Sequence, residues 1–287
     1  MKRLIIAFCL SVFLFTPAAA DPGSAVVDAV RSRLPEGARD MKITAQRTGD
    51  PLGSPFELYV LSFEKNGKDY GSNVVPVLDG KFMVMGDVRD VESGVDLSVI
   101  WQALTTKADI PADEDHLVAG DPSRCKIPVA VFSDYQCPYC RNFASIVRTM
   151  AENDPDLCLY HYDFPLNYHK DAEQFARYAV AWRILTGRPV PVAYWNVTSD
   201  RDKTEKWIEA ELKKTGTDPE RFRKLVASRE VDERIRADIE LAKRIKVGGT
   251  PTVFVSGHRV PAKKEMIENF TAWKKGHPAV DSLKAET

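Results

Sequence analysis

The chain has little cysteine, little histidine and no basic block. Its 287 residues include five cysteines and five histidines, and 40 basic residues stand against 41 acidic ones. No internal repeat or low-complexity tract occurs, and beyond the first twenty residues no segment is apolar for the twenty or so positions that a membrane helix needs. These absences disfavour nucleic-acid binding, repeat architectures and a membrane-spanning chain.

The first twenty residues have the pattern of a secretory signal. Lys2 and Arg3 precede an apolar run, Leu4–Phe15, and small residues lead to a predicted cleavage site after Ala20. The run is too short to span a bilayer. We therefore expect the remaining 267 of the 287 residues to form an exported, soluble protein in a compartment where thiols can oxidise.

A mature chain of this length suggests two domains. Residues 21–100 read as a small α+β unit, with hairpin signals at Asn66-Gly67 and Asp79-Gly80. This part contains no cysteine or histidine, so we interpret it as an assembly or binding module. Residues 101–122 are interpreted as a linker, helical at first and then rich in turn-forming residues.

Residues 123–287 alternate between strand and helix patterns. Near-continuous apolar runs predict buried strands at Ile127–Asp134 and Leu157–Phe164. A helix is predicted between them, and a helical insertion at about 166–247 precedes a hairpin and a closing helix. This order predicts an α/β fold in which helices cover a mixed sheet.

A Cys-Pro-Tyr-Cys motif opens the first helix of this part. Pro138 suits the first helical position, which puts Cys137 at the N-cap, where unpaired backbone N–H groups and the helix dipole favour a thiolate. Cys140 falls on the apolar stripe with Phe143, so we expect it to be buried and Cys137 to lie at the exposed edge. One sulfur can then attack a substrate and the other resolve the mixed disulfide.

Other uses of the cysteine pair are weighed against this one. A structural zinc site needs about four ligands, and no second CxxC or CxxH motif is present. His161 and His169 are interpreted as strand-end or loop histidines, and we expect no bound metal. Cu(I) needs fewer and softer ligands, so a copper-binding role stays open as an alternative, as does an inert bridge.

A second signature is Gly-Gly-Thr-Pro-Thr at Gly248–Thr252. The glycines end the helical insertion and Pro251 opens a strand. A proline at this entry is consistent with a cis Thr250–Pro251 bond, although an ordinary trans proline at an edge strand has the same pattern.

Together these motifs resemble the periplasmic thioredoxin-fold disulfide oxidoreductases over about residues 123–275. The DsbC/DsbG isomerase branch is the most similar, through Val131-Phe132, Asp134 and Thr250. The resemblance implies a thioredoxin fold with a helical insertion, joined to a small N-terminal α+β domain. It also implies that the Thr250 backbone pairs with substrate, that Pro251 keeps metal from the thiols, and that the redox-active disulfide is the only cofactor. Pro138 and Tyr139 complete the predicted substrate-binding residues.

Two features of the sequence bear on whether the protein oxidises substrates or isomerises and reduces their disulfides. In thioredoxin and the DsbA oxidases a buried acid lies six residues before the nucleophile, and Val131 occupies that position here. Residues 163–176, in contrast, look more like DsbA relatives. We therefore expect a thiol–disulfide isomerase or reductase, with an oxidase as the alternative and a copper-binding or chaperone module as a third reading.

The resemblance also implies the partners of such a protein. They are unfolded or misoxidised exported proteins, and a membrane thiol reductase or oxidase that resets the cysteine pair. A homodimer would form through residues 21–100, and nucleic acid is not expected.

Three further residues are assigned from the sequence. Cys125 and Cys158 each accompany a strand, and the two strands should be parallel neighbours. We expect a structural disulfide closing a loop of about 33 residues, worth roughly 3 kcal/mol by the chain-entropy model, against the alternative of two buried thiols. Asp134 either tunes proton transfer or caps the loop before the helix.

Overall fold

The computed structural model describes residues 22–283, so the predicted signal segment lies outside the described residues. Contacts divide this part of the chain into two compact units, residues 22–107 with 272–283 and residues 108–271. Among the described helices, none combines the length and apolar character required to cross a bilayer.

The first unit is a four-stranded antiparallel sheet with two helices, as the α+β prediction requires. The elements are α1 (Pro22–Arg31), β1 (Lys42–Thr48), β2 (Phe56–Lys65), β3 (Lys68–Leu78), β4 (Phe82–Met83) and α2 (Leu97–Ala103). The sheet order is β1-β2-β3-β4. The hairpin between β2 and β3 turns at Asn66 and Gly67, both with positive φ, and Asp79 and Gly80 make the next turn in the same way.

The two faces of this sheet bury different side chains because residues alternate along each strand. Tyr59 and Leu61 pack with Val26 of α1, whereas Leu58 packs with Trp101 of α2. Trp101 is fully buried. The predicted linker therefore begins too early, since its first residue belongs to the core of the first unit.

The second unit is a five-stranded mixed sheet flanked by helices. The elements are β5 (Leu117–Ala119), β6 (Ile127–Ser133), α3 (Pro138–Asn153), β7 (Leu157–Asp163), α4 (Ala172–Thr186), α5 (Arg201–Lys214), α6 (Pro219–Val226), α7 (Arg229–Arg244), β8 (Thr252–Val255) and β9 (His258–Val260), followed by α8 (Lys264–Gly276), which belongs to this unit as far as Thr271. The strand order is β5-β7-β6-β8-β9. The central strand β6 pairs in parallel with β7 and antiparallel with β8.

The predicted linker also extends too far at its C-terminal end, where it includes strand β5. This strand lies within residues 101–122 and pairs antiparallel with β7, so it extends the second sheet. Short polar sequence around a three-residue strand gives no alternating pattern from which it could be predicted.

The helical insertion predicted at about 166–247 is observed as α4 to α7. Asp218 caps α6 and Pro219 occupies its first position. Ser228 is the N-cap of α7 and accepts a hydrogen bond from Val231 N, so a new helix begins there. The four helices between β7 and β8 share one buried cluster, and Leu241 and Ala242 of α7 also pack with sheet side chains such as Phe132.

Gly120, directly after β5, lies against β7 more closely than any side chain permits. Its φ is +92°, and a Cβ placed on it would lie 2.3 Å from the Leu157 carbonyl oxygen and 2.9 Å from Cys158 Cα. Both contacts are backbone atoms of a buried strand, so neither can move aside cheaply.

We expect Gly120→Ala to destabilise the fold by about 3 kcal/mol, through steric overlap added to positive-φ strain. Gly216→Ala is the matched control, because Gly216 also has positive φ but has nothing within 4 Å of the added Cβ; its cost should stay near 1 kcal/mol. Chemical denaturation measures both, and equal losses would show that the contact with β7 does not matter.

Candidate active site

Cys137 lies at the N-cap of α3 and Pro138 at its first position, as the motif predicts. The Cys137 side chain makes no capping hydrogen bond to the helix. Its thiol instead donates toward the Thr250 carbonyl oxygen, 3.5 Å away. The nucleophile candidate is thus held between the start of a helix and the loop that precedes β8.

The expectation that Cys137 lies at the exposed edge is wrong, since only 4% of the residue is exposed. It packs in a buried cluster with Tyr135, Cys140 and side chains of the helical insertion. Helical periodicity could not show this, because the covering residues come from segments distant in sequence. The exposed part of the motif is Pro138-Tyr139, with Tyr139 76% exposed.

Cys140 is buried, as predicted, with Phe143 and Val147 on the same stripe. Burial raises the pKa of the Cys140 thiol to about 12, because a thiolate would lose its hydration there. At neutral pH Cys140 therefore remains protonated. The two cysteines of the motif are chemically unequal, which suits one attacking and one resolving sulfur.

The loop Gly248–Pro251 borders the motif on the β8 side. The Thr250–Pro251 peptide bond is cis. Thr252 opens β8 opposite Phe132 near the end of β6, so strand pairing brings this loop to the cysteines. Thr250 and Pro251, predicted to contact substrate, are both half-buried at this edge of the sheet.

Asp134, three residues before Cys137, is buried and accepts hydrogen bonds from two segments of the chain. Its Oδ1 accepts from Gln136 N at 2.7 Å. Its Oδ2 accepts from Leu166 N at 2.8 Å and from His169 Nδ1 at 2.7 Å. Its own carbonyl accepts from Cys137 N at 3.1 Å. The loop-capping role left open by the sequence is observed, and it extends to the loop after β7.

His169 is in a loop, as predicted, but no pattern in the sequence placed it beside the motif. Its Nδ1 reaches Asp134, and the neighbouring Asp171 N donates to Gln136 Oε1 at 2.8 Å. The cysteine motif follows the carboxyl end of β6, and residues 164–171 follow the carboxyl end of β7. Because the carboxyl ends of adjacent parallel strands lie at the same edge of a sheet, the predicted strand order could have placed these two segments together.

His161 is a buried residue of β7 rather than a strand-end histidine. The ladder places it beside Val131, and its ring stacks on Trp195 with centroids 5.7 Å apart. Its Nε2 lies 3.5 Å from Asp163 Oδ1. Burial lowers the pKa of His161 to about 4, since the imidazolium would be poorly solvated there.

The structure joins Cys125 to Cys158 in a disulfide, with Cα atoms 5.6 Å apart. The parallel pairing of β6 and β7 from which the bridge was inferred is also observed, with Pro128 opposite Cys158. Of the cysteines in the described residues, Cys137 and Cys140 alone are free.

The fold and this site define a thioredoxin-fold protein with a free CxxC pair beside a cis-proline loop. Residues 113–273, more than half of the chain, match the model of the family described as Thioredoxin. The chain therefore belongs to the thioredoxin family, and the predicted thioredoxin fold with a helical insertion is confirmed. The DsbC/DsbG branch stays a prediction.

Particular relatives come from bacteria. The "Probable disulfide bond formation protein D" of Bacillus anthracis is 30% identical over 144 residues, which is 46% of this chain and 66% of the relative, just under two thirds of its length. A thioredoxin-like oxidoreductase from Silicibacter pomeroyi is 26% identical with a TM-score of 0.47, over 58% of this chain and 95% of that one. The oxidised BdbD of Bacillus subtilis is 16% identical with a TM-score of 0.45, over 60% of this chain and 97% of that one.

His161 predicts a pH dependence of stability. Its pKa is about 4 in the folded chain against about 6.5 unfolded, so the unfolded state binds the proton first as pH falls. The neutral His161 ring therefore contributes about 3 kcal/mol to the free energy of unfolding above pH 6.5, and this contribution is lost as the pH falls toward 4. Chemical denaturation between pH 7 and pH 4 gives the free energy of unfolding as a function of pH. We expect this free energy to fall less steeply with decreasing pH in His161→Gln than in the wild type. Parallel dependences for the two proteins would contradict the assignment.

Proposed function

We propose that the protein catalyses thiol–disulfide exchange in exported polypeptides through Cys137 and Cys140. The observation that carries this is the asymmetry of the pair. Cys137 lies against the Thr250 carbonyl, where an extended substrate chain can pair with the backbone, and Cys140 is buried behind it as a thiol. The family match and the name of the Bacillus relative support the same chemistry.

In the proposed reaction the Cys137 thiolate attacks one sulfur of a substrate disulfide. This forms a mixed disulfide and releases the other substrate sulfur as a thiolate. Cys140 then loses its proton and attacks the Cys137 sulfur, which frees the second substrate thiolate and leaves a Cys137–Cys140 disulfide. Run in reverse, the same steps oxidise a substrate dithiol.

For the direction we propose isomerisation or reduction first. Val131 at the position of the family's buried acid, and a separate N-terminal unit built around its own sheet, favour this reading. An oxidase is the second candidate, because the printed name of the Bacillus relative refers to disulfide bond formation. Both candidates use the same residues and differ in which redox state of the pair meets the substrate.

The proposal includes the setting and the partners. The basic and apolar start of the chain supports export to the periplasm, where disulfides persist. The substrates would be unfolded or misoxidised exported proteins, and a membrane thiol reductase or oxidase would reset the pair. Residues 21–100 would mediate homodimerisation, which sedimentation of the chain without them would test.

We expect Cys140→Ala to accumulate a covalent complex with cysteine-containing substrates, because the mixed disulfide on Cys137 can no longer be resolved. Non-reducing electrophoresis after incubation with scrambled ribonuclease should show about ten-fold more complex than the wild type. Cys137→Ala is the control and should form none. Equal capture by the two single variants would contradict the assigned roles.

The direction is tested with two forms of one substrate. Reduced protein should restore activity to scrambled ribonuclease without added redox buffer if it is an isomerase. Oxidised protein should rapidly oxidise reduced ribonuclease if it is an oxidase. We expect the first activity to dominate, and activity confined to the second assay would select the oxidase.

A further inference from the structure

The loop between β7 and α4, residues 164–171, is fastened to the cysteine motif by polar contacts. Asp134 Oδ2 accepts from Leu166 N and His169 Nδ1, and Gln136 Oε1 accepts from Asp171 N. Asp134 and Gln136 both lie in the short segment that joins β6 to Cys137. This loop therefore bears directly on the backbone that carries the nucleophile candidate.

The carboxylate of Asp134 has little freedom to change its position in this contact. Its side chain is fully buried. A buried carboxylate is tolerated only when its oxygens are hydrogen-bonded, and here it has three N–H donors. His169 is the only one of the three whose donor is a side chain, so it is the one that substitution can remove.

The same aspartate holds Cys137 through its main chain. The Asp134 carbonyl accepts from Cys137 N at 3.1 Å, and its Oδ1 accepts from Gln136 N. A shift of the Asp134 side chain would move both amides. It would thereby move the Cys137 sulfur relative to the Thr250 carbonyl.

From this geometry we propose that His169 is a positioning residue for Cys137, acting through Asp134. The inference rests on the proposed function and deepens it, since it assigns a role to a side chain that touches neither sulfur. The His169 ring also meets Tyr168 edge to face at 4.7 Å, and Tyr168 is 73% exposed. Two contacts, Tyr168 with His169 and His169 with Asp134, thus connect an exposed aromatic side chain to the segment before the motif.

Removing His169 has a direct physical consequence for the segment that carries Cys137. Asp134 Oδ2 keeps a single donor, Leu166 N, so the carboxylate can turn away and loosen the segment before α3. This loosening slows the attack of Cys137 without touching the surface that binds substrate.

The experiment compares His169→Ala, His169→Asn and Lys170→Ala in the full chain. We expect His169→Ala to slow alkylation of Cys137 by iodoacetamide about ten-fold at pH 7, and to lower kcat for exchange with KM unchanged. Asn presents an amide N–H close to the position of Nδ1 and should restore the rate to within about two-fold of wild type. Lys170 is exposed in the same loop, and its alanine variant should match the wild type.

Wild-type rates in a folded His169→Ala variant would overturn the proposal, as would a failure of Asn to restore them. If His169→Ala does not fold, NMR of ¹⁵N-labelled wild-type protein tests the proposal, because it shows which ring nitrogen of His169 carries a proton. A proton on Nδ1 supports the contact with Asp134, and a neutral ring protonated on Nε2 overturns it.

These outcomes are separable from a failure of the proposed function. Alkylation reports on Cys137 without any protein substrate. If Cys137→Ala abolishes exchange while His169→Ala changes nothing, only the role of His169 fails. If exchange survives Cys137→Ala, the proposed function itself fails.

Discussion

Strand β6 pairs on both sides, and this pairing determines where every candidate functional group lies. Its parallel neighbour β7 delivers the loop 164–171 to the same sheet edge as the cysteine motif. Its antiparallel neighbour β8 starts at that edge, so the cis-proline loop arrives from the other side. Because strand registers are fixed by which side chains are buried, these three loops cannot slide relative to one another without exposing the core.

Burial makes the two sulfurs of the motif unequal. Cys140 lies under the first turn of α3, where loss of hydration raises its pKa to about 12. Cys137 is nearly as buried in area, but its sulfur faces a backbone carbonyl of a neighbouring loop. The exposed residues next to Cys137 are Pro138 and Tyr139 of the motif itself.

The polar groups around the motif are organised by hydrogen bonds between loops. Asp134 satisfies three N–H donors, and His169 belongs to this arrangement although it is 35 residues away in sequence. His161 shows the opposite case, a histidine enclosed by Tyr135 and Trp195, so that burial keeps it neutral. Two histidines eight residues apart thus have different surroundings, because one lies within strand β7 and the other in the loop that follows it.

Local patterns in the sequence determined the elements of this protein and the chemistry of its motif. The turn at Asn66-Gly67, the caps at Asp218 and Ser228, and the N-cap position of Cys137 depend on residues within a few positions of each other. The pairing of Cys125 with Cys158 could be inferred because it follows from two strands being parallel neighbours.

Only the tertiary structure decided what covers Cys137, where the first unit ends, and that His169 meets Asp134. Trp101 looked like the start of a linker because its partner Phe56 is 45 residues earlier. Cys137 looked exposed because its covering comes from the helical insertion. In each case the deciding contact joins segments distant in sequence, and such contacts depend on how the buried faces of the sheet are shared, which no local periodicity encodes.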